Sequence, residues 1–361
     1  MEYLSPIDPH VHLRGEEYAK DFLEYGMADA RTVGLVGMVE QPNPKPQLTT
    51  EKIINERLNK LNNYSIPCHI HIGMTNDKNQ VIDAINMIMQ RRVSRCCSDK
   101  IFYTHSTGNM GILDVEFQRW IWQKKAEMQY SGISIGHFED EESYLKIPFD
   151  SEKPITHSYK QCPEAEYIQV ERQLRFAHDA GFTGTFYVAH VSNPATVLLC
   201  EDYRRKHTLH NKRFDVVLEA TWHHLFLNTT HYDTYGTYVK MNPPLRPKPL
   251  QEMLLQHLLR GEIDIIGTDH APHPIEKKTG PNAYSGIPAI LFWPYGIKML
   301  KDLGMKTERI EYITSHKANI LFFHNSLKTN IIKLNFSFEE MNPYWKKYDF
   351  NPFSAFMQDT I

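Results

Sequence analysis

The chain has 361 residues, of which 41% are hydrophobic and 23% charged, and its formal net charge is -3. This is an ordinary globular composition, and without a cluster of Lys and Arg it argues against nucleic-acid and anionic-membrane partners. The apolar runs fall short of the roughly 20 residues that span a bilayer, and the first residues lack a secretory signal pattern. We therefore expect a cytoplasmic protein whose five cysteines are reduced.

Short β-rich runs alternate with helical patterns along the chain. The eight predicted strands are 3–8, 32–39, 68–74, 98–103, 132–137, 184–190, 214–220 and 263–268. Strands that are separated by helices pair in parallel, and eight such units fit a closed (β/α)8 TIM-type barrel. An open doubly wound sheet is the alternative, but no G-x-G-x-x-G motif follows the first strand.

The region after the eighth strand predicts two closing helices, over 287–303 and 310–323. We assign residues 1–324 to the barrel domain. Residues 325–361 form an aromatic-rich extension that we expect to pack on the barrel, with a strand within 330–338.

Two histidines, His10 and His12, follow the first predicted strand. Because side chains alternate between the two faces of a strand, a spacing of two places both imidazoles on one face. An isolated H-x-H pair is more often a pair of core histidines than a metal site. The interpretation therefore depends on what the later strand ends carry.

The later strands end in further ligand types. Lys100 lies on the fourth strand, His137 ends the fifth, His190 ends the sixth and Asp269 follows the eighth. Functional groups of a barrel gather at these C-terminal strand ends. Neutral imidazoles and a carboxylate suit Zn²⁺, Mn²⁺, Fe²⁺ or Co²⁺, and Zn²⁺ is the usual ion of His-rich hydrolytic sites. The series predicts a metal site at the mouth of the barrel.

Lys100 is unusual in this series because metal cations repel an ammonium. A lysine in such a field readily becomes neutral, and a neutral amine adds CO₂ to form a carbamate, an anionic ligand that bridges two ions. A lysine that reaches to solvent is the alternative that its position alone favours.

Four other histidines are interpreted as supporting residues. His69 and His71 lie on the third strand but precede its end, so we expect core or supporting roles. His223 and His224 follow the seventh strand, and supporting roles are expected there too.

Several segments of the sequence resemble the dihydroorotases of the amidohydrolase superfamily. The most specific are HVHLR at 10–14, NPPLR at 242–246 and GTDHAPHP at 267–274. The matching segments run in order over about three quarters of the chain.

The resemblance implies an enzyme that hydrolyses the cyclic amide of dihydroorotate reversibly to N-carbamoyl-L-aspartate in pyrimidine biosynthesis. It implies two divalent metal ions, the first held by His10, His12 and Asp269, the second by His137 and His190, with carboxylated Lys100 as the bridge. It implies that Arg14 and Asn43 bind the substrate carboxylate, with His273 assisting from the far side. Asp269 is implied as the catalytic general base and acid. No organic cofactor is implied, and a homodimer is the candidate assembly.

The chain departs from the family pattern at two loops. Gly15, Glu16 and Glu17 replace the Glu-Pro-Gly that follows H-x-H-L-R in many members, so another loop shape is expected. Thr107 matches one of two adjacent threonines that contact a mobile lid, whereas Gly108 stands at the other. Few residues precede His10, so we expect the compact form of the family without a large β-sandwich.

Two other functions share these motifs. A hydantoinase- or allantoinase-like cyclic amidase keeps the metal ligands, but an uncharged hydantoin ring has no carboxylate for Arg14. A non-catalytic scaffold of the family is the second alternative. Missing ligands are expected of such a scaffold, and each implied ligand is present in this sequence.

Overall fold

The computed structural model describes residues 1–105, 110–208, 214–334 and 338–357. Its strands are Glu2–Leu4 (β1), Ile7–Val11 (β2), Gly37–Glu40 (β3), Cys68–Gly73 (β4), Cys96–Phe102 (β5), Ile133–His137 (β6), Thr185–Val188 (β7), Asp215–Thr221 (β8), Ile265–Gly267 (β9) and Ile331–Lys333 (β10). Strands β2 to β9 form one parallel sheet in chain order. The predicted (β/α)8 barrel is confirmed.

Helices follow the barrel strands on the outside. They are Phe22–Thr32 (α1), Glu51–Leu61 (α2), Lys78–Met89 (α3), Val115–Glu127 (α4), Thr156–Lys160 (α5), Pro163–Ala180 (α6), Pro194–Thr208 (α7), Trp222–Phe226 (α8), His231–Tyr235 (α9), Lys248–Arg260 (α10), Trp293–Asp302 (α11), Thr307–Glu311 (α12), Lys317–Phe323 (α13) and Phe338–Trp345 (α14). In the described ranges, no helix combines the length and apolarity needed to cross a membrane.

Local sequence fixes where these helices begin and end. Thr50, Asp77 and Asp114 precede α2, α3 and α4, and each side chain accepts a hydrogen bond from the first turn. Such caps satisfy backbone N–H groups that have no partner within the helix. Gly181 ends α6 with φ 78°, a left-handed conformation that glycine adopts without strain. The three N-terminal caps thus fix where α2, α3 and α4 begin, and Gly181 fixes where α6 ends.

The barrel closes between its first and last strands. Val11 bridges to His270, and the His12 amide donates to the His270 carbonyl at 2.7 Å. Beside them, the Asp8 carboxylate accepts hydrogen bonds from the amide and hydroxyl of Thr268. These contacts bring residues about 260 positions apart to one seam.

Apolar side chains fill the lower interior of the barrel. Ile7, Ile133 and Val217 form a buried cluster there with Phe322 and Phe323 of α13. Helix α13 therefore covers the floor, at the end opposite the strand C-termini. A much larger cluster packs the outer helices against the sheet.

The two chain ends meet outside the barrel. Strand β1 pairs antiparallel with β10, with Tyr3 opposite Ile332. Further along, the Tyr348 hydroxyl donates to Asp29 of α1 at 2.6 Å, and Phe353 stacks on Phe292 at 4.0 Å. The division into a domain at 1–324 and an extension at 325–361 stays a prediction.

Two predicted strands differ most from those observed. The predicted strand 3–8 is two elements, because residues 2–4 pair with β10 whereas 7–11 join the barrel. The predicted strand 32–39 begins only at Gly37, since Thr32 is the last residue of α1. Pairing partners distant in sequence decide both boundaries, so local pattern misplaced them.

Candidate active site

A cavity of about 60 Å³ lies at the C-terminal ends of the barrel strands. Its lining residues are His10, His12, Arg14, Asn43, Lys100, Phe102, His137, His190, Asn242, Asp269, Ala271, Ser285 and Gly286. Eight of the ten predicted site residues are among them. His273 lies beside Arg14, and Thr107 and Gly108 lie outside the described residues.

His10, His12 and Asp269 form what we call the first ligand group. Asp269 Oδ1 lies 2.9 Å from His12 Nε2 and 3.2 Å from His10 Nε2. Ligand atoms that each lie about 2.0–2.2 Å from one Zn²⁺ are separated by roughly 3 Å. The three residues offer ligand atoms that all lie within 4.8 Å of one another, so this group could hold a metal ion.

The electrostatics of the first ligand group favour a cation. Burial lowers the pKa of His10, but the carboxylates of Glu219 and Asp269 outweigh burial and raise the pKa to about 9. Burial lowers the pKa of His12 to about 4, which keeps this imidazole neutral. A neutral imidazole is the form that binds metal.

Lys100, His137 and His190 form what we call the second ligand group. His137 Nδ1 lies 3.0 Å from His190 Nε2. Burial, followed by the charges of His137 and Lys100, holds the pKa of His190 well below its usual value. Unlike the first ligand group, this group contributes nitrogen atoms alone.

Lys100 is fully buried, and its ammonium nitrogen has no hydrogen-bond partner among the described residues. Burial lowers the pKa of Lys100 to about 8, against the opposing effect of Glu219 and Asp269. The equally buried Lys125 differs, because its Nζ donates to Asp99 at 2.7 Å and to Ser134. A buried charge without a partner is costly. Lys100 is therefore the lysine whose environment suits a neutral amine and its chemical modification.

Strand alternation explains how these side chains reach the cavity. On β5, Lys100 and Phe102 point inward, whereas Asp99, the residue before Lys100, points outward to Lys125 on α4. On β2 the pairing register shifts between Asp8 and Val11. That irregularity allows both Ile7 and His10, an odd number of residues apart, to face the interior.

Three cavity residues have positive φ although none is glycine: Arg14 at 60°, His190 at 39° and Asp269 at 47°. His190 and Asp269 each follow their strand by two residues. Such conformations are uncommon for residues with side chains and concentrate at functional sites. They turn these side chains over the barrel mouth.

Two buried glutamates orient the histidines, and the sequence analysis missed both. Glu219 lies 2.7 Å from His10 Nδ1 and also accepts from the Tyr187 hydroxyl. Glu139 lies 2.8 Å from His137 Nε2. A carboxylate that binds one ring nitrogen of a histidine directs the other towards a metal. The available signals were an acid inside an apolar strand and the His-Phe-Glu run at 137–139.

Asn43 plays a similar part for His12, since its side-chain oxygen lies 2.6 Å from His12 Nδ1. The ring N–H therefore donates to Asn43, and His12 Nε2 faces Asp269. The predicted substrate role of Asn43 stays a prediction beside this contact.

Arg14 and His273 lie in direct contact. Arg14 Nη2 lies 2.9 Å from His273 Nε2, and Arg14 Nε donates to the Pro272 carbonyl. The Tyr18 hydroxyl lies 2.7 Å from His273 Nδ1. His273 Nε2 also lies 2.9 Å from the Ser285 carbonyl oxygen, so it accepts from Arg14 in one tautomer and donates to Ser285 in the other. Burial and the Arg14 charge hold the pKa of His273 well below its usual value, which agrees with a neutral ring.

The loop after Arg14 is tied to the loop after β3. Glu17 accepts hydrogen bonds from the amides of Gly15 and Lys45, and the Glu16 amide donates to the Lys45 carbonyl. A Cβ atom at Gly15 would lie 2.2 Å from the Lys45 carbonyl oxygen, so this approach requires glycine. The departure from the family pattern thus has its own hydrogen-bond network.

The histidines interpreted as supporting residues line no part of the cavity. His69 packs on Phe323 of the barrel floor at 4.2 Å, and His71 Nδ1 contacts Ser98 at 2.5 Å. His224 bonds to Thr221 and to the Pro243 carbonyl. His223 is fully buried, and neither ring nitrogen has a partner within the described part of the chain.

Curated proteins of known activity resemble this chain in sequence. A dihydroorotase of Halobacterium salinarum is 31% identical over 288 residues, covering 79% of this chain and 63% of that protein. A dihydroorotase of Methanosphaera stadtmanae is 30% identical, covering 79% and 62%. The chain thus spans about three fifths of the length of these curated relatives. No profile of a known protein family matches it.

Solved structures agree on the fold. The L-hydantoinase (dihydropyrimidinase) from Arthrobacter aurescens superposes with a TM-score of 0.76 at 20% sequence identity, covering 89% of this chain and 72% of that one. A dihydropyrimidinase from Brevibacillus agri gives a TM-score of 0.72 at 21% identity, covering 89% and 71%. At this identity the likeness concerns the barrel alone. Together, these comparisons show that this chain is similar in sequence to dihydroorotases and shares the barrel fold of hydantoinases and dihydropyrimidinases.

Proposed function

We propose that this chain is a dihydroorotase, which opens the cyclic amide of dihydroorotate to N-carbamoyl-L-aspartate and closes it in the reverse direction. One observation carries the proposal. Eight residues that the sequence assigns to metal and substrate, from His10 to Asp269, line a single cavity. Chance would not bring ligand types from six barrel strands and their following loops to one place at the catalytic end of a barrel.

We propose that the cavity holds two divalent ions, with Zn²⁺ as the expected metal. His10, His12 and Asp269 would hold one ion, His137 and His190 the other, and Lys100 would bridge them as a carbamate. The donor set suits this assignment, because imidazole and carboxylate ligands are those of catalytic zinc. The unpartnered, fully buried Lys100 nitrogen supports the modification. When bound, such ions supply Lewis-acid polarisation of a carbonyl and lower the pKa of water.

Arg14 would bind the substrate carboxylate, with Asn43 and His273 beside it. A guanidinium offers a planar fork that pairs with a carboxylate through two hydrogen bonds. Two anchors hold Arg14 in place: its Nε donates to Pro272, and its carbonyl accepts from Arg57 at 2.6 Å. Arg57 is itself paired with the buried Glu40. The binding group is therefore fixed before substrate arrives, which lowers the entropic cost of binding.

Asp269 would move the proton that ring opening requires. Its Oδ1 contacts His10 and His12, which leaves Oδ2 to accept a proton from the nucleophilic water. As the carbonyl carbon bonds to the water oxygen and the C–N bond breaks, the same carboxyl group donates that proton to the departing ring nitrogen. Ring closure runs through the same steps in reverse.

A cyclic amidase for uncharged hydantoin rings is the second candidate, because it would use the same metal ligands. Arg14 distinguishes the two, since a buried guanidinium left without its anionic partner weakens binding of an uncharged ring. The scaffold alternative predicts neither metal nor turnover. A cytoplasmic location and a homodimer stay predictions.

One experiment separates these candidates. The purified chain is loaded with Zn²⁺ and bicarbonate, its metal content is measured, and ring opening is followed with dihydroorotate, hydantoin and dihydrouracil. We expect two ions per chain and turnover of dihydroorotate only. Turnover of hydantoin in preference to dihydroorotate would contradict the assignment of Arg14, and a metal-free, inactive chain would support the scaffold.

A further inference from the structure

Lys278 is a fully buried lysine that the proposed chemistry does not use. Its ammonium donates hydrogen bonds to three main-chain carbonyls, those of Lys240, Tyr284 and Gly286, each at 2.8 Å. An ammonium has three N–H donors. All three are therefore occupied by protein, and Lys278 has no donor left for a ligand.

The three carbonyls belong to two segments that lie far apart in sequence. Residues 237–242 follow β8, and residues 278–286 follow β9. The Gly286 amide also donates to the Lys240 carbonyl at 2.9 Å, and the Thr237 hydroxyl donates to the Lys278 carbonyl at 2.6 Å. Lys278 thus sits at the centre of the junction between these segments.

The same two segments supply one side of the catalytic cavity. Asn242, Ser285 and Gly286 line it, and we call these three residues the cavity wall. The Ser285 hydroxyl donates to Asn242 Oδ1 at 3.0 Å, and the Ser285 carbonyl lies 2.9 Å from His273 Nε2. The wall therefore contacts His273, whose ring also contacts Arg14.

The wall has a backbone conformation that needs outside support. Gly286 has φ 132°, and a Cβ atom there would lie 2.5 Å from the Ala271 carbonyl oxygen. Glycine is flexible, so it accepts this conformation but does not enforce it. Two hydrogen bonds at Gly286, from its amide and to its carbonyl, supply the constraint, and Lys278 makes one of them.

Lys278 also adds positive charge behind the cavity. No carboxylate within the described ranges lies within 4.0 Å of its nitrogen. Burial and the neighbouring charges of Lys240 and Arg14 lower the pKa of Lys278, whereas the three carbonyl acceptors match the three donors of the charged form alone. The positive charge favours an anionic substrate.

We propose that Lys278 is a positioning residue, which holds the cavity wall in the conformation that binds the anionic substrate. The proposal rests on the proposed function, because it takes the cavity to be the substrate site. Lys278 acts through the wall and not on the reacting atoms. Its loss therefore weakens substrate binding while the metal ligands keep their places.

The test compares Lys278→Met with Lys277→Met, since Lys277 is the exposed neighbour. Loss of hydrogen bonds to a charged group predicts a KM increase of about tenfold or more for Lys278→Met, with kcat within about threefold and unchanged metal content. Lys277→Met keeps the KM of the parent chain. An unchanged KM in Lys278→Met, or a fall in kcat together with lost metal, would overturn the proposal.

A second readout does not require turnover. Amide hydrogen exchange of peptides covering 236–243 and 278–287 reports opening of the two segments. We expect faster exchange in both segments for Lys278→Met but not for Lys277→Met. If the parent chain lacks dihydroorotase activity, the proposed function fails, while the exchange rates still test the junction. Unchanged exchange overturns the role of Lys278.

Lys278→Gln keeps two N–H donors on a shorter side chain and serves where the Met variant does not fold. We expect a smaller KM increase and a smaller change in exchange than for Lys278→Met. If neither variant folds, Lys278 serves folding of the barrel, and the positioning role is overturned.

Discussion

The two ligand groups at the barrel mouth differ in what the chain itself supplies. The first contains a carboxylate, Asp269, whose oxygen lies within 3.2 Å of two imidazoles. The second contains two imidazoles and the amine of Lys100. The buried acid beside it, Glu139, is engaged with the outer nitrogen of His137.

This difference concerns charge. A divalent ion in the first ligand group meets a negative ligand as soon as the chain folds, whereas one in the second group meets neutral nitrogens and an amine. The proposed carbamate on Lys100 would correct this by converting the amine into an anion. The comparison teaches that the first group has its negative ligand from the sequence alone, whereas under the proposal the second would depend on CO₂ from solution.

Lys100→Ala should have the largest effect on activity. Without the amine no carbamate forms, so metal content falls below two ions per chain and turnover is lost with it. Metal analysis and the dihydroorotate assay measure both, and Lys78→Ala at an exposed site is the control. Two bound ions with full turnover in Lys100→Ala would rule out the bridge.

The CO₂ requirement can be tested without mutation. Metal-free chain reconstituted with Zn²⁺ in bicarbonate-depleted buffer should regain metal in the first ligand group only. Added bicarbonate should restore the second ion and activity. Equal recovery of metal and activity in both buffers would mean that the second ligand group does not require CO₂.

Asp269→Asn tests the carboxylate of the first ligand group. A general base contributes roughly 10²–10⁴-fold to rate, so turnover should fall by that factor while the amide keeps a similar shape. Single-turnover ring opening is the measurement, and the exposed Asp233→Asn is the control. A mild effect would assign proton transfer to another group.

Glu219→Gln and Glu139→Gln sharpen the comparison, because each glutamate orients one ligand group. Loss of such a carboxylate costs roughly 10–100-fold in metal affinity or activity. Glu219→Gln should weaken the ion held by His10, and Glu139→Gln the ion held by His137. Metal titration of each variant against the exposed Glu142→Gln measures this. Loss of the same ion in both variants would contradict the assignment of one glutamate to each ligand group.

Much of this architecture could be predicted, because parallel strands end at one edge. Lys100 and His137 lie on predicted strands that the structure contains, and the convergence of their side chains follows from closure of the barrel. The Arg14 position was predictable only with the neighbouring H-x-H pattern, since a lone arginine carries no signal of its own.

Other features depend on contacts that no local pattern encodes. Glu219 meets His10 across 209 positions of sequence. Strand β1 leaves the barrel because its partner, β10, lies near the other end of the chain. The positive φ of His190 and Asp269 has no sequence signal, because neither is glycine. Tertiary structure imposes each of these.

Arg14→Met should have the smallest effect and lies outside both ligand groups. Loss of the paired hydrogen bonds to the carboxylate, at a net cost of about 1.5 kcal/mol, predicts a KM for dihydroorotate raised about tenfold. Metal content should stay unchanged in both groups, because Arg14 contacts Pro272 and His273 and neither metal group directly. Steady-state kinetics beside metal analysis provide the measurement, with the exposed Arg31→Met as control. An unchanged KM would place the substrate carboxylate elsewhere in the cavity. Loss of metal would instead show that Arg14 supports the ligand groups, so that substrate binding and metal binding are not separable in this cavity.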